Sequence, residues 1–290
     1  MSLLQSPHWP FLIDVYFFLG GLAGGAFVIA TVANLIDSAR YRDVIRVGYY
    51  LSLLVLLPCP LILIVDLGVP ARFMNMILTF NPLSPMSMGA WALLGFSACA
   101  FFAALFTLME DMGKARDLSG PKLVAGVIGG FFGFFLAAYP GVLIGATARP
   151  LWIEGHALGA LFLAVGASTG AAAMALILLA LGQRARQGIG AVRTMTVLAL
   201  LIQIVAVLVF IASVQMSGRP ASVTALGALT GGRFAGLFWG GAIVVGSVLP
   251  LVLGLVDLKR RSAALTALTS VLVLAGGFLV KYVIMAAGQV

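Results

Sequence analysis

The stretch FLIDVYFFLGGLAGG, residues 11–25, opens an apolar run that continues to residue 36 and contains one carboxylate, Asp14. The run is long enough to cross a bilayer as a helix, which takes about 20 residues. At about 100° per residue, Asp14, Gly21 and Gly25 share one helix face, and two overlapping GxxxG pairs let another backbone approach closely. We therefore expect a membrane-spanning helix whose carboxylate points toward packed protein. The alternative is an acidic cap that faces water at the helix start.

The composition of the whole chain is that of a membrane protein. Of its 290 residues, 62% are hydrophobic and 9% are charged, against about half and about a quarter in an average soluble domain. Its start, MSLLQSPHWPF, has no basic region and leads into a run too long for a signal peptide, so we interpret that run as an uncleaved first span. The net charge of +8 does not indicate nucleic-acid binding, because basic residues in membrane proteins mark the cytoplasmic side.

Eight apolar runs predict an all-α integral membrane protein with eight transmembrane helices. We number them spans 1 to 8 and place them at residues 11–36, 44–66, 87–109, 122–146, 155–182, 193–216, 232–256 and 262–287. An even number of spans puts both termini on one side of the bilayer. We call that side the terminal face and the opposite side the basic face.

The basic face is named for its loops, which carry 12 of the 17 Lys and Arg residues. Short loops rich in Lys and Arg stay in the cytoplasm. We therefore expect a multi-pass protein of the bacterial cytoplasmic (inner) membrane, with both termini outside. The twelve residues are Arg40, Arg42, Arg46, Lys114, Arg116, Lys122, Arg184, Arg186, Arg193, Lys259, Arg260 and Arg261.

The terminal face carries all four tryptophans and the two longest connections, residues 67–86 and 217–231. An interfacial aromatic belt is the simpler explanation for the tryptophans. A belt usually populates both interfaces, however, so their one-sided distribution also favours a docking surface. The tryptophans are Trp9, Trp91, Trp152 and Trp239.

The sequence offers few ligands for a redox metal. Its two cysteines, Cys59 and Cys99, cannot hold an iron–sulfur cluster, which normally takes four thiolates, and we interpret them as small packing residues. Its two histidines, His8 and His156, lie at the terminal boundary rather than deep in the bundle. We therefore expect neither a haem nor an iron–sulfur cluster in this protein.

Three polar groups descend from the terminal face into the membrane. Asp14 and Tyr16 lie about 5–8 Å inside span 1, and Tyr139 lies about 12 Å inside span 4. Pro140 follows Tyr139 and removes a hydrogen bond to the carbonyl of Leu136. Ionisable groups in the membrane are expensive and tend to be functional, although a tyrosine at this depth also serves packing.

The connection between spans 2 and 3 carries two charges. Asp66 ends span 2, Pro70 prevents a simple continuation, and Arg72 follows six residues after the Asp. A carboxylate and a guanidinium can pair and fix an irregular segment. We therefore expect either an Asp66–Arg72 pair that orders a rim over spans 1 to 4, or a direct role in proton transfer.

Six blocks of the sequence together resemble the NrfD/PsrC family, the membrane subunits of polysulfide-reductase-type complexes. They lie in order along nearly the whole chain. The blocks are GGLAGGAF, DLGVPARF, NPLSPMSMGAW, AAYPGVLIGATARPLW, LFLAVGASTG and GGFLVKYVIMAAGQ.

The resemblance implies two four-helix bundles, at residues 1–150 and 151–290, with a site for menaquinone or ubiquinone in the first. It also implies a ferredoxin-like iron–sulfur subunit on the outer face and a molybdopterin catalytic subunit beyond it. Tyr139 would donate a hydrogen bond to a quinone carbonyl, and residues just before GLAGG would line the same pocket. Some members have a histidine at the position of Tyr16 and a polar residue at that of Ile13, so the quinone type stays open.

Two hypotheses follow from these residues. The first is a quinone-reactive membrane anchor subunit of a respiratory oxidoreductase, in which Asp14, Tyr16 and Tyr139 serve the quinone, and Asp66 connects protons to the surface. Whether turnover also translocates protons is left open. The second is a secondary transporter with Asp14 as its coupling acid, although such sites usually lie at the membrane midplane.

The orientation can be tested directly. Because 12 of the 17 basic residues lie on the basic face, we expect both termini outside the cytoplasm. A C-terminal fusion to a reporter that is active only outside should therefore be active. A C-terminus that reports from the cytoplasm would contradict the assignment.

Overall fold

The structure, a computed structural model, describes residues 9–113, 118–182 and 186–289. Within these ranges eight helices are long and apolar enough to cross a membrane, which confirms the predicted fold class. His8, Lys114, Arg116 and Arg184 lie outside the described residues, as does the side chain of Arg186. The helices of spans 1 to 8 are Phe11–Asp37, Arg42–Asp66, Pro85–Asp111, Ser119–Gly145, Leu158–Ala180, Arg186–Met216, Gly236–Arg260 and Ala263–Gly288.

Two of the spans are not uniform α-helices. Span 2 consists of the helices Arg42–Leu56 and Pro58–Asp66, which meet at Leu57. Pro58 and Pro60 lack the N–H groups that would continue the first helix without interruption. Span 7 begins as a π-helix, Gly236–Val248, and continues as the α-helix Leu249–Arg260.

The connections on the terminal face contain short helices that the sequence analysis did not predict. Pro70–Arg72 forms a 3₁₀ turn, followed by the helix Phe73–Leu78. Pro150–Ile153 and Pro220–Thr230 are further short helices. Three of the four begin at a proline, whose fixed φ suits the first position of a helix.

Span 1 is the central helix of the protein and contacts its neighbours through glycines. A Cβ on Gly24 would meet the carbonyl oxygen of Gly133 in span 4, and a Cβ on Gly25 would meet that of Gly166 in span 5. These contacts confirm that the glycines of span 1 form a packing seam. Because span 1 packs as extensively on span 5 as on span 4, the division into two bundles at residue 150 stays a prediction.

Ion pairs join the spans on the basic face. Arg46 of span 2 contacts Asp111 of span 3 at 2.8 Å, and Arg193 of span 6 contacts Asp257 of span 7 at 2.9 Å. Part of the basic charge that predicts the orientation therefore also connects neighbouring helices.

The tryptophans of the terminal face have different environments. Trp152 is fully buried, and its indole N–H donates to the carbonyl of Ile284 at 3.0 Å. The backbone N–H of Trp9 donates to Gln289 at 2.8 Å, so the two ends of the described chain meet. Trp91 and Trp239 are more than a third exposed. The burial of Trp152 shows that an aromatic belt is wrong for this residue, whereas the exposure of Trp91 and Trp239 fits both a belt and a docking surface.

Gly25→Ala tests the central packing of span 1. The added methyl group meets the Gly166 carbonyl, a backbone atom that cannot move by itself. We expect the free energy of unfolding to fall by about 1–3 kcal/mol, as in other overpacked cores. Thermal unfolding of the purified protein in detergent measures the change.

The matched control is Gly240→Ala in span 7, where an added Cβ meets nothing within 4 Å. Its stability should be equal to that of the wild type or higher by up to about 1 kcal/mol, because Ala loses less conformational entropy than Gly in a helix. Equal stability of the two variants would mean that the seam does not hold span 1 in place.

Candidate functional site

Tyr16 and Tyr139 come together within spans 1 to 4. Both are buried, at 4% and 5% exposure. The ring of Tyr139 stacks on Phe135 at a centroid distance of 5.7 Å, and its hydroxyl end lies against Gly89 of span 3, where a Cβ would not fit. Tyr16 lies near Tyr139 and near Cys59 of span 2. The glycine at position 89 thus makes room for the tyrosine from span 4.

Neither tyrosine hydroxyl makes a hydrogen bond within the described part of the chain. The hydroxyl oxygens are also not among the side-chain atoms that are both fully buried and unpaired, so each keeps some access from outside the protein although its residue is buried. A polar group that reaches them can accept their hydrogen bonds.

An apolar cavity of about 160 Å³ lies between spans 2 and 3 and the helix Phe73–Leu78. Pro60 and Leu63 line it from span 2, and Ala90 and Leu93 line it from span 3. Neither tyrosine lines the cavity. Pro60 and Ala90 follow, in sequence, Cys59 and Gly89, the residues near the tyrosines, so the cavity and the tyrosines occupy the same levels of spans 2 and 3.

Asp14 lies on the other side of span 1. It is 200° from Tyr16 at 100° per residue, and no hydrogen bond or ion pair joins it to either tyrosine in the described ranges. Its exposure is 4%, and its Oδ1 atom is buried without a hydrogen-bond partner. The prediction that Asp14 points into protein is confirmed, and a water-facing cap is excluded. Because no contact joins Asp14 to the tyrosines, the assignment of all three groups to one quinone site stays a prediction.

Lys281 is a buried cation whose environment the sequence analysis missed. It is 1% exposed. Its ammonium donates to the backbone carbonyl of Phe17 at 2.7 Å and lies 5.2 Å from the ring centre of Phe162. It occupies the Gly21 side of span 1, which is the face that carries Asp14. The sequence does indicate that Lys281 is buried in protein, because a lysine seven residues inside an apolar span is costly in contact with lipid.

The expected Asp66–Arg72 pair is wrong. Both residues are exposed, and no ion pair joins them in the described part of the chain. Exposed ions gain little from pairing because water already solvates them. Hydrogen bonds order the end of this connection instead: the Asn81 N–H donates to Ser87 Oγ at 3.0 Å, and the Asn81 side chain accepts from the Leu83 N–H at 3.0 Å.

Comparison with known proteins places the sequence in a family. The family model described as "Polysulphide reductase, NrfD" matches residues 3–290. The C subunit of the polysulfide reductase of Wolinella succinogenes is 28% identical, over 97% of this protein and 94% of the relative. The NrfD homolog of Haemophilus influenzae is 26% identical, over the same shares of the two sequences. The protein therefore belongs to the NrfD polysulphide reductase family.

Proposed function

We propose that this protein is the quinone-reactive membrane anchor subunit of a respiratory oxidoreductase. The observation that carries the proposal is that two buried tyrosines, Tyr16 and Tyr139, have hydroxyls without a hydrogen-bond partner in the described part of the chain and share spans 1 to 4 with an apolar cavity. Family membership supports it, because one relative is by name a component of polysulfide reductase. The same membership favours an oxidoreductase subunit over the alternative of a secondary transporter.

The residues around the cavity fit a quinone. Its volume of about 160 Å³ is below the roughly 300–1,000 Å³ typical of pockets that enclose a whole drug-sized ligand. It suits a ring headgroup whose isoprenoid tail lies in the lipid, since Leu94 at its edge is 42% exposed. Menaquinone and ubiquinone both present carbonyl oxygens that two tyrosine hydroxyls can bind. A bound quinone supplies two-electron, two-proton redox chemistry.

Each side chain then has a distinct task. Tyr139, held by Phe135 and Gly89, donates a hydrogen bond to one carbonyl oxygen, and Tyr16 donates to the other. Asp14 does not touch the headgroup in this proposal; it holds a proton on the far side of span 1. Asp66 precedes Leu67, which lines the cavity, so Asp66 and Arg72 flank the mouth of the cavity and exchange protons with the surface there.

An iron–sulfur partner on the terminal face is the other half of the proposal. Electrons must pass between the quinone and a soluble redox centre, and the connection over the cavity presents exposed apolar side chains. Leu78, Phe80 and Leu83 are 75%, 56% and 91% exposed, which favours a protein-covered surface. A ferredoxin-like subunit docked there places its cluster near the tyrosine pair, and a molybdopterin catalytic subunit lies beyond it.

Tyr139→Phe removes one hydroxyl and keeps the ring that packs on Phe135 and Gly89. If the hydroxyl binds the reacting quinone, its loss should cost about 1–3 kcal/mol, which is roughly a 5- to 150-fold lower rate of quinone-linked turnover. The assay uses the purified complex with a soluble quinone analogue. Electron transfer from the soluble subunits to an artificial acceptor should stay normal.

The matched control is Tyr282→Phe, the same chemical change in span 8, where the ring stacks on Phe278. It should leave quinone turnover unchanged. Asp14→Asn should lower the turnover number without raising the KM for quinone, since Asp14 stands off the headgroup. Wild-type turnover in both Tyr139→Phe and Tyr16→Phe, with normal assembly, would contradict the proposed site.

A further inference from the structure

An open groove lies between spans 2 and 5 on the outside of the protein, at the end of these helices that belongs to the basic face. Its volume is about 400 Å³. The residues of span 2 that line it lie on one side of the helix, within about 140° of one another at 100° per residue. Asp43, Arg46, Leu51 and Leu54 line the groove from span 2, and Ile177 and Leu181 line it from span 5.

The groove is as deep as one leaflet of a bilayer. Asp43 and Leu54 are eleven residues apart, which corresponds to about 16 Å along a helix, and half of a hydrocarbon core is about 15 Å thick. The charged residues lie at the shallow end, and the lining of span 2 beyond Tyr50 is apolar. Leu54 and Leu181 are 64% and 51% exposed, so the groove opens toward the lipid. These dimensions suit an acyl chain that enters from the basic face.

The shallow end of the groove carries charges of both signs. The Nε of Arg46 donates to Asp111 of span 3 at 2.9 Å, and the same carboxylate accepts from Tyr50 at 3.0 Å. The side chain of Arg42 is 63% exposed and approaches this carboxylate only to 3.7 Å. Asp43 has no hydrogen bond within the described part of the chain, and its ion pair with Arg46 spans 4.0 Å. The two arginines and two aspartates sum to no net charge, and Arg42 and Asp43 keep the capacity to bind a ligand.

A zwitterionic headgroup with a primary ammonium fits this end of the groove. The ammonium can donate hydrogen bonds to Asp43, and the phosphate can accept them from Arg42, since guanidinium groups suit phosphate contacts. An anionic phospholipid without an ammonium would place its phosphate near the Asp43 carboxylate with nothing to offset the repulsion. A choline headgroup has no N–H group with which to donate to Asp43. The charges therefore select an ethanolamine headgroup.

We propose that a phosphatidylethanolamine molecule of the cytoplasmic leaflet binds in this groove through Asp43 and Arg42. One of its acyl chains lies along Leu51, Leu54 and Ile177. Helices in lipid associate through van der Waals packing, and the acyl chain supplies contacts across the space that separates spans 2 and 5. The inference goes beyond the proposed function, and neither its evidence nor its test involves the quinone site.

The test measures lipid binding to the intact purified complex after detergent exchange has removed its native lipids. Phosphatidylethanolamine, phosphatidylglycerol and phosphatidylcholine with identical acyl chains are added in turn, and native mass spectrometry counts the molecules bound at each concentration. The Kd for phosphatidylethanolamine should be about tenfold below that for either other lipid, as expected for one charge-assisted hydrogen bond. An equal or weaker affinity for phosphatidylethanolamine would overturn the proposal.

Leu54→Trp assigns the binding to the groove, because the larger side chain fills its apolar part. It should raise the Kd for phosphatidylethanolamine at least tenfold. The matched control is Leu61→Trp, the same change on the same span at a residue that is 63% exposed but does not line the groove. This variant should bind phosphatidylethanolamine as the wild type does.

Asp43→Asn tests the headgroup contact, because it keeps the shape of the side chain and removes its charge. The affinity for phosphatidylethanolamine should fall about tenfold, to that for phosphatidylcholine, whose own affinity should not change. The proposal is overturned if folded Leu54→Trp protein binds phosphatidylethanolamine like Leu61→Trp, or if Asp43→Asn keeps the preference. Loss of a protein subunit or of a second copy in Leu54→Trp alone would show that a protein helix occupies the groove, and would equally overturn the proposal.

Discussion

The close backbone contact of span 1 with spans 4 and 5 determines where the polar groups of this protein lie. Lipid provides no hydrophobic force between helices, so their association depends on van der Waals packing and interhelical hydrogen bonds. Gly24 against Gly133 and Gly25 against Gly166 bring the backbones into direct contact. This packing fixes the rotation of span 1 about its axis, and thereby the direction of each side chain about two to three turns from the seam.

That rotation divides the polar groups of span 1 between two environments. Tyr16 faces Tyr139 and Cys59, whereas Asp14 and the carbonyl that accepts from Lys281 face the other half of the protein. In the proposed function, the first environment binds the quinone headgroup. The second holds two buried ionisable side chains, Asp14 and Lys281, away from that headgroup.

Hydropathy and loop charge predicted the eight spans because a bilayer demands long apolar helices whatever their tertiary contacts. The glycine spacing of span 1 likewise predicted the burial of Asp14, since it placed both on one face. Features that depend on the third dimension were not predictable. Asp66 and Arg72 are near in sequence but remain solvated. The acceptor of Lys281 is the backbone carbonyl of Phe17, 264 residues earlier, which no local pattern indicates. Gln203 hydrogen-bonds to Ser168 of span 5 and Ser247 of span 7. No spacing along the sequence predicts these bonds, because each partner is a single serine on a different helix.

Photolabelling with a quinone analogue tests the central claim most directly. The intact complex is irradiated with an analogue that carries a photoreactive group on its ring, with and without excess native quinone, and the modified residues are identified by mass spectrometry. The account predicts labelling within residues 60–97, around the cavity between spans 2 and 3, that native quinone suppresses. A larger groove of about 660 Å³ between spans 4 and 5, lined by Gly141 and Gly159, is the competing location. Suppressible labelling confined to that groove would contradict the account.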